Sequence, residues 1–267
     1  MPFYQLIVLA VVGSLTGVLP ISDSTHLMLL RHLLHWQDPG LAFDLALQLG
    51  ALLALLIYFA GIWARVLRAG LDLNTLNPSR HHRLFWLLLV AVIPGLLARF
   101  VLERGAAIRF RAPLAGIALI VVAVLLWAGE RIKEHNENLF QLRFTDSLLV
   151  GFAQALAIMP WVSRSGITMS IGLVRTMKRT TAAEFSLLIS APFVAAEALL
   201  RIMDLDSLTM EMQFAPFLTG FVVSSVVGYF VIGALLRFLD GRSFKPFAIY
   251  CAALGIFVLA AGPKLQG

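Results

Sequence analysis

The sequence predicts an all-α polytopic membrane protein, organised as an inverted repeat of about six transmembrane helices plus two re-entrant helical hairpins. Three observations carry that prediction. Of the 267 residues, 60% are hydrophobic and only 13% charged, where a soluble domain carries about 25% charged residues. The apolar residues come in long blocks, such as 84–97, 113–127 and 214–236, long enough or nearly so to cross a bilayer as helix. Two further apolar stretches are interrupted near the middle by proline and a polar cluster.

The unbroken blocks place spans at about 41–64, 84–102, 113–130, 183–203, 214–237 and 246–262. The broken stretches run over about 3–35 and 147–175. The first reads Leu19-Pro20-Ile21-Ser22-Asp23-Ser24-Thr25-His26, the second Met159-Pro160-Trp161-Val162-Ser163-Arg164-Ser165-Gly166. Proline disfavours helix at the residue before it and removes a backbone donor, so each stretch should be two short helices joined by a turn. Irregular backbone at membrane depth is tolerated only where protein or a water-filled cavity covers it, which favours re-entrant hairpins over spans.

The two broken stretches align with one another. Ser22-Asp23-Ser24 falls on Ser163-Arg164-Ser165, and Phe43-Asp44-Leu45 on Phe185-Ser186-Leu187. Pro113 with Ala128-Gly129 falls on Pro246 with Ala261-Gly262. One membrane domain over 1–267 therefore divides into repeat one at about 1–130 and repeat two at about 147–262. A hairpin and three spans per half inverts the second half relative to the first, the plan of transporters whose site lies where broken helices meet.

Charge excludes several function classes. The net charge of +6 does not indicate nucleic acid, because the basic residues lie mainly between hydrophobic blocks and not in runs interleaved with aromatics. The loops at 65–83, 131–146, 175–182 and 237–245 fall on one side and hold 13 of the 21 Lys and Arg. The positive-inside rule makes that side cytoplasmic and puts both termini outside. The single cysteine, Cys251, rules out a disulfide within the chain. The first twenty residues are apolar without a basic leader, which reads as part of the mature fold.

Ionisable groups inside a membrane cost roughly 2.5–3.5 kcal/mol each at a helix centre, so they are functional candidates. Asp23, His26 and Arg164 lie in or beside the hairpin turns, with Ser22, Ser24, Thr25, Ser163, Ser165 and Thr168 around them. If the turns meet, Asp23 and Arg164 can partly neutralise each other. Backbone N–H groups at two helix N-termini, together with a guanidinium, make a cradle for phosphate. The plainer reading is that Ser22, Asp23 or Ser24 only caps a helix and that His26 is a satisfied interior histidine; capping alone leaves Arg164 unexplained. Asp44 and Glu184 begin spans at the interface, Glu197 and Arg201 read as an ion pair four residues apart, and His81-His82 as solvated loop residues.

These residues resemble the undecaprenyl-diphosphate phosphatase family, membrane enzymes linked to bacitracin resistance. The likeness rests on Leu-Pro-Ile-Ser with His26, Phe43 through Gln48-Leu49-Gly50, Pro160 with Ser163-Arg164-Ser165-Gly166, Glu184-Phe185-Ser186 and Pro246 through Tyr250. It implies a bacterial inner-membrane enzyme that removes the terminal phosphate of a polyprenyl diphosphate lipid at the outer face, for peptidoglycan synthesis. It also implies a site with a serine-rich turn and with His26 and Arg164 as catalytic groups. In this chain Asp23 is read as a third catalytic group, and Ser22, Ser24, Thr25, Ser163, Ser165, Gly166 and Gln48 as substrate-binding. A divalent cation, Mg²⁺ or Ca²⁺, is implied as cofactor, and Asp23 is the candidate ligand in this chain. Membrane lipids are the other partners, and homo-oligomerisation is left open. The family's two first-hairpin glutamates would align with Gly13 and Gly17, and Asp23 stands where the turn's second serine is expected. Asp23 then replaces the lost carboxylates as base or metal ligand, or pairs with Arg164. The alternative function is a non-hydrolytic transporter or flippase of polyprenyl phosphate or a related anionic lipid.

Overall fold

In an apolar solvent each backbone N–H and C=O needs a partner within its own segment, so uninterrupted apolar blocks become helices. The computed structural model describes residues 1–72, 79–103, 112–132, 138–159, 161–203 and 214–261. Among these are eleven helices: α1 (Phe3–Val18), α2 (Asp23–Leu33), α3 (Leu41–Tyr58), α4 (Ala60–Leu71), α5 (Arg80–Glu103), α6 (Ala112–Arg131), α7 (Phe144–Leu156), α8 (Arg164–Val174), α9 (Arg179–Met203), α10 (Phe214–Leu239) and α11 (Lys245–Ala261). Five of them, α3, α5, α6, α9 and α10, are long and apolar enough to cross a membrane. The 17 residues of α11 reach ~25 Å.

The outer surface is the inverse of a soluble protein's. Trp86, Ile93, Leu97, Val124, Phe230, Ile249 and Ile256 are exposed, while Ser14, Thr25, Ser165, Ser170, Ser186 and Ser224 are buried. Apolar surface of that extent, wrapped around polar side chains, is suited to lipid. The helices approach closely through small residues. On α3, a Cβ added to Gly50 would lie 2.5 Å from the Phe221 carbonyl oxygen of α10. Gly116 of α6 and Gly255 of α11 face one another with the same lack of room, each 2.8–2.9 Å from the other's carbonyl oxygen by the same measure.

The span expected over 41–64 is broken. Helix α3 stops at Tyr58, Phe59 forms the joint with φ −96° and ψ 19°, and α4 begins at Ala60. Arg65 and Arg68 explain the break: they remain exposed while Val66 is fully buried, so α4 is amphipathic and lies against α5 instead of continuing across. His81 and His82, expected as solvated loop residues, lie instead in the first turn of α5 and are engaged. His82 bonds the Ala69 carbonyl through Nδ1 at 2.8 Å, and His81 accepts from Arg65 at 3.2 Å.

Each interrupted stretch forms a helical hairpin, α1 with α2 and α7 with α8. Pro20 sits in the first turn; Pro160 lies outside the described residues, as do the 204–211 loop and Gly262. The second arms, α2 and α8, have 11 residues each, or ~16 Å, about half of a ~30 Å hydrocarbon layer. Arm α1 packs on α10 and arm α7 on α5, where Ser147 donates to the Leu87 carbonyl.

Buried carboxylates hold together the end of the molecule that carries the basic loops. Glu130, at the end of α6, takes both Nε and Nη2 of Arg179 at 2.8–3.2 Å and the Phe244 backbone N–H at 2.7 Å. Asp146, fully buried, accepts from Arg175 at 2.6 Å and from the Arg143 backbone N–H at 2.8 Å. Removing one partner of such a pair strands the other, at a cost of roughly 3 kcal/mol or more. Glu130→Ala should therefore lower the detergent-solubilised protein's thermal transition clearly, with Glu130→Gln intermediate; an unchanged transition would show that this junction does not hold α6, α9 and α11 together.

Candidate active site

The two hairpin tips meet, and two serine hydroxyls join them. Ser22 Oγ donates to the Trp161 carbonyl at 2.8 Å, and Ser165 Oγ donates to the Leu19 carbonyl at 2.8 Å. Both serines are buried. Ser22 and Trp161 each occupy the left-handed region, at φ 69° and 75°, a conformation that costs a non-glycine residue roughly 1–2 kcal/mol and persists only where surroundings enforce it. Here the first hydroxyl bond links one strained residue directly to the other.

Beyond the tips the chain turns into helix on both sides. Ser163 caps α8, its Oγ accepting the Gly166 N–H at 3.1 Å. The first turn has no such side-chain cap; Ser22 is occupied by the cross-turn bond and by Thr25 Oγ1 at 3.0 Å. Capping thus accounts for Ser163 but not for Ser22.

A cavity of about 370 Å³ opens against the joined tips. Of the expected residues, Asp23, Ser24, Gln48, Ser163, Arg164 and Ser165 line it. Ser22, Thr25, His26 and Gly166 lie behind the lining and shape it. His26 Nδ1 meets the Ser22 carbonyl at 2.6 Å, so that nitrogen carries a proton, and Nε2 hydrogen-bonds the Tyr250 hydroxyl at 2.7 Å. The rings stack with centroids 5.6 Å apart. Cys251 adds a contact to the Pro20 carbonyl at 3.4 Å, so α11 braces the first turn. Gly166 serves a close approach: a Cβ there would come within 2.6 Å of Val122 on α6, so α6 braces the second.

Arg164 does not pair with Asp23. Its Nη2 donates to Glu197 Oε2 at 3.2 Å and its guanidinium lies over the Phe193 ring at 4.7 Å. Asp23 is exposed to the cavity, one residue past the strained Ser22. Its charge is at the first position of α2, where the helix dipole favours an anion. The expected Glu197–Arg201 pair is absent as well: Glu197 is buried and takes Arg164 and, at 3.9 Å, Arg99. Arg201 lines the cavity separately, its Nε buried without a hydrogen-bond partner, and Gln48 Oε1 is in the same condition.

Sequence reasoning missed Glu197, Arg99 and Tyr250 as parts of this site. Arg99 and Glu197 had a signal, since each is a charge inside an apolar block; the pairing across helices had none. Glu184 lies elsewhere, with Arg65, Arg237 and Asp240, in an open groove of about 540 Å³ beside the basic-loop end. Asp44 is half-buried in α3 and outside the cavity lining.

The donor set does not fit the implied divalent cation. Oxygen-seeking Mg²⁺ and Ca²⁺ are held by carboxylates and carbonyls. The cavity presents Gly13 and Gly17 where two carboxylates are expected, and Glu197 is engaged by arginines. Among the described residues no group of three or more His, Cys, Asp and Glu can hold a metal ion. The cavity suits an anion better: three guanidinium groups, Arg99, Arg164 and Arg201, face two carboxylates, Asp23 and Glu197.

The chain is 38% identical to an undecaprenyl-diphosphatase of Desulforudis audaxviator over 257 residues, covering 96% of both chains. It is 38% identical to that of Pelotomaculum thermopropionicum over 264 residues and 98% of both. With that of Moorella thermoacetica it shares 39% over 261 residues, 97% of this chain and 98% of the relative. A family model described as bacitracin resistance protein BacA matches residues 6–257, and the chain belongs to that family.

Proposed function

We propose that this protein is an integral membrane lipid diphosphatase that hydrolyses undecaprenyl diphosphate to undecaprenyl phosphate and inorganic phosphate. The observation that carries this reading is the cavity where Arg164 and the N-terminal turns of α2 and α8 converge, in a chain that matches undecaprenyl-diphosphatases over nearly its whole length.

The residues assign themselves roles by what their hydrogens are free to do. The hydroxyl protons of Ser22 and Ser165 go to backbone carbonyls, so these serines hold the site together. Ser24 and Ser163 make only long hydroxyl contacts, at 3.4 Å to Ser22 and Ser165, which they can exchange for phosphate oxygens. The first N–H groups of a helix have no intrahelical partners, so the starts of α2 and α8 offer further donors. Arg164, aimed by Glu197 and Phe193, grips the terminal phosphate with its remaining N–H groups. Asp23 is the cavity carboxylate without an arginine partner and is the group placed to take a proton from water as its oxygen attacks phosphorus. The new P–O bond forms from water, the bond to the bridging oxygen breaks, and the electron pair leaves with the lipid phosphate. The proton held by Asp23 passes to solvent. His26 fixes the turn that carries Asp23.

The reciprocal bracing of the turns, α11 on the first and α6 on the second, supports the inverted repeat expected from the sequence, as do α1 on α10 and α7 on α5. Helices α5 and α9 begin at the basic-loop end, and Arg99, Glu197 and Arg201 lie near their other ends. With the basic loops cytoplasmic, the cavity falls in the outer half of the bacterial inner membrane and the N-terminus outside.

Two measurements check this. Phosphate release from undecaprenyl diphosphate by the purified protein should fall about 100-fold or more in kcat for Asp23→Asn, whereas Arg164→Ala should lose a comparable factor in kcat/KM. Headgroup movement in proteoliposomes with no phosphate released would favour the transporter alternative. A cysteine introduced by Pro2→Cys should react with an impermeant thiol reagent in intact spheroplasts; protection until the membrane is opened would reverse the orientation.

A further inference from the structure

We propose that this protein neutralises its diphosphate substrate with a cluster of three arginines organised on Glu197, and turns over without a divalent cation. The inference rests on the diphosphatase reading but concerns how charge is handled. Hydrolysis of a diphosphate develops negative charge on the leaving phosphate, and something cationic must face it. A divalent ion at a phosphate is held by one or two carboxylates together with phosphate oxygens, or by a fuller oxygen cage. Among the described residues the cavity leaves only Asp23 outside the arginine pairs. Gly17 lines the cavity, and a Cβ added there would meet nothing within 4 Å; that wall offers space and no ligand.

The cationic side is built instead. Glu197 is 7% exposed and sits 3.2 Å from Arg164 and 3.9 Å from Arg99. One carboxylate between two guanidinium groups fixes their positions and leaves N–H groups of Arg164 turned to the cavity for an anion. Arg201 lies one helical turn beyond Glu197, on the same cavity, with its Nε buried and unbonded. A buried polar atom without a partner is costly, and a phosphate oxygen satisfies it. Asp44 is within electrostatic reach of Arg201 but forms no ion pair with it. The planar fork of arginine matches phosphate oxygens in pairs, which a point cation does not. Glu197 is accordingly a positioning residue, and Arg99 and Arg201 are further binding residues for the substrate's diphosphate.

The experiment uses the full chain in detergent, stripped with EDTA, and titrates undecaprenyl diphosphate and, separately, inorganic pyrophosphate by calorimetry, alongside phosphate release. Binding and kcat/KM should differ by less than about threefold between EDTA and added Mg²⁺ or Ca²⁺. Arg201→Gln should weaken binding about tenfold or more, and Arg201→Lys should recover part of it. Glu197→Gln should raise KM more than it lowers kcat. Gly17→Glu, which sets a carboxylate among the guanidinium groups, should weaken metal-free binding and bring in stimulation by Mg²⁺. The proposal is overturned if the unaltered protein loses binding in EDTA and regains it about tenfold with either cation, or if Arg201→Gln binds as tightly as the unaltered chain. Tight binding in EDTA with no phosphate released under any condition would uphold the arginine cluster and remove the hydrolase reading. A gain of binding only for the lipid, and not for pyrophosphate, would still uphold it, with the prenyl chain supplying affinity.

Discussion

Two short hydrogen bonds, Ser22 to the Trp161 carbonyl and Ser165 to the Leu19 carbonyl, are the constraint on which the rest of the site depends. Each hairpin ends in backbone that no regular structure satisfies, at a depth where water is scarce. Alone, each tip would bury unpaired carbonyls at roughly 1–3 kcal/mol apiece. Joined, each supplies the other's missing donor. The bonds are reciprocal, so neither hairpin can withdraw without exposing the other, and the left-handed backbone at Ser22 and Trp161 is held by the same contact. The consequence is geometric: the first turns of α2 and α8 are delivered to one cavity, with Asp23 on one side and Arg164 on the other.

The surrounding helices keep this junction from shifting. Tyr250 and Cys251 of α11 hold the first turn, and close contact with Val122 of α6 holds the second. Helices α6 and α11 are locked to each other through facing glycines. At the far end Glu130 ties α6 to α9 and to the chain entering α11. Stability and function are thus separated along the length of the bundle. Carboxylates bound by arginines hold one end, and an excess of arginine faces the cavity near the other.

Much of the plan was legible in the sequence. The proline-interrupted stretches did become hairpins, the Ser-x-Ser clusters did meet, and Asp23 with Arg164 did reach one cavity, because local backbone chemistry alone breaks those helices. What the sequence could not convey was pairing between distant helices. Glu197 and Arg201, four residues apart, satisfy the helix-face rule, yet Glu197 turns to Arg164 and Arg99 because burial inside the bundle rewards a partner on a neighbouring helix. His26 likewise reads as a site residue from its place beside the first turn, but Tyr250, 224 residues away, claims its ring. The break at Phe59 was hidden because Arg65 and Arg68 were counted as loop residues, when they make one face of a helix.

The account stands on a single phosphate site between the two turns. It is tested most directly by an experimental structure of the Asp23→Asn protein with undecaprenyl diphosphate bound in EDTA. The terminal phosphate should lie at the N-termini of α2 and α8, within hydrogen-bond distance of Arg164 and with Arg201 turned toward the diphosphate. A phosphate found instead in the groove lined by Arg65 and Arg237, or held in the cavity away from Arg164, would contradict it.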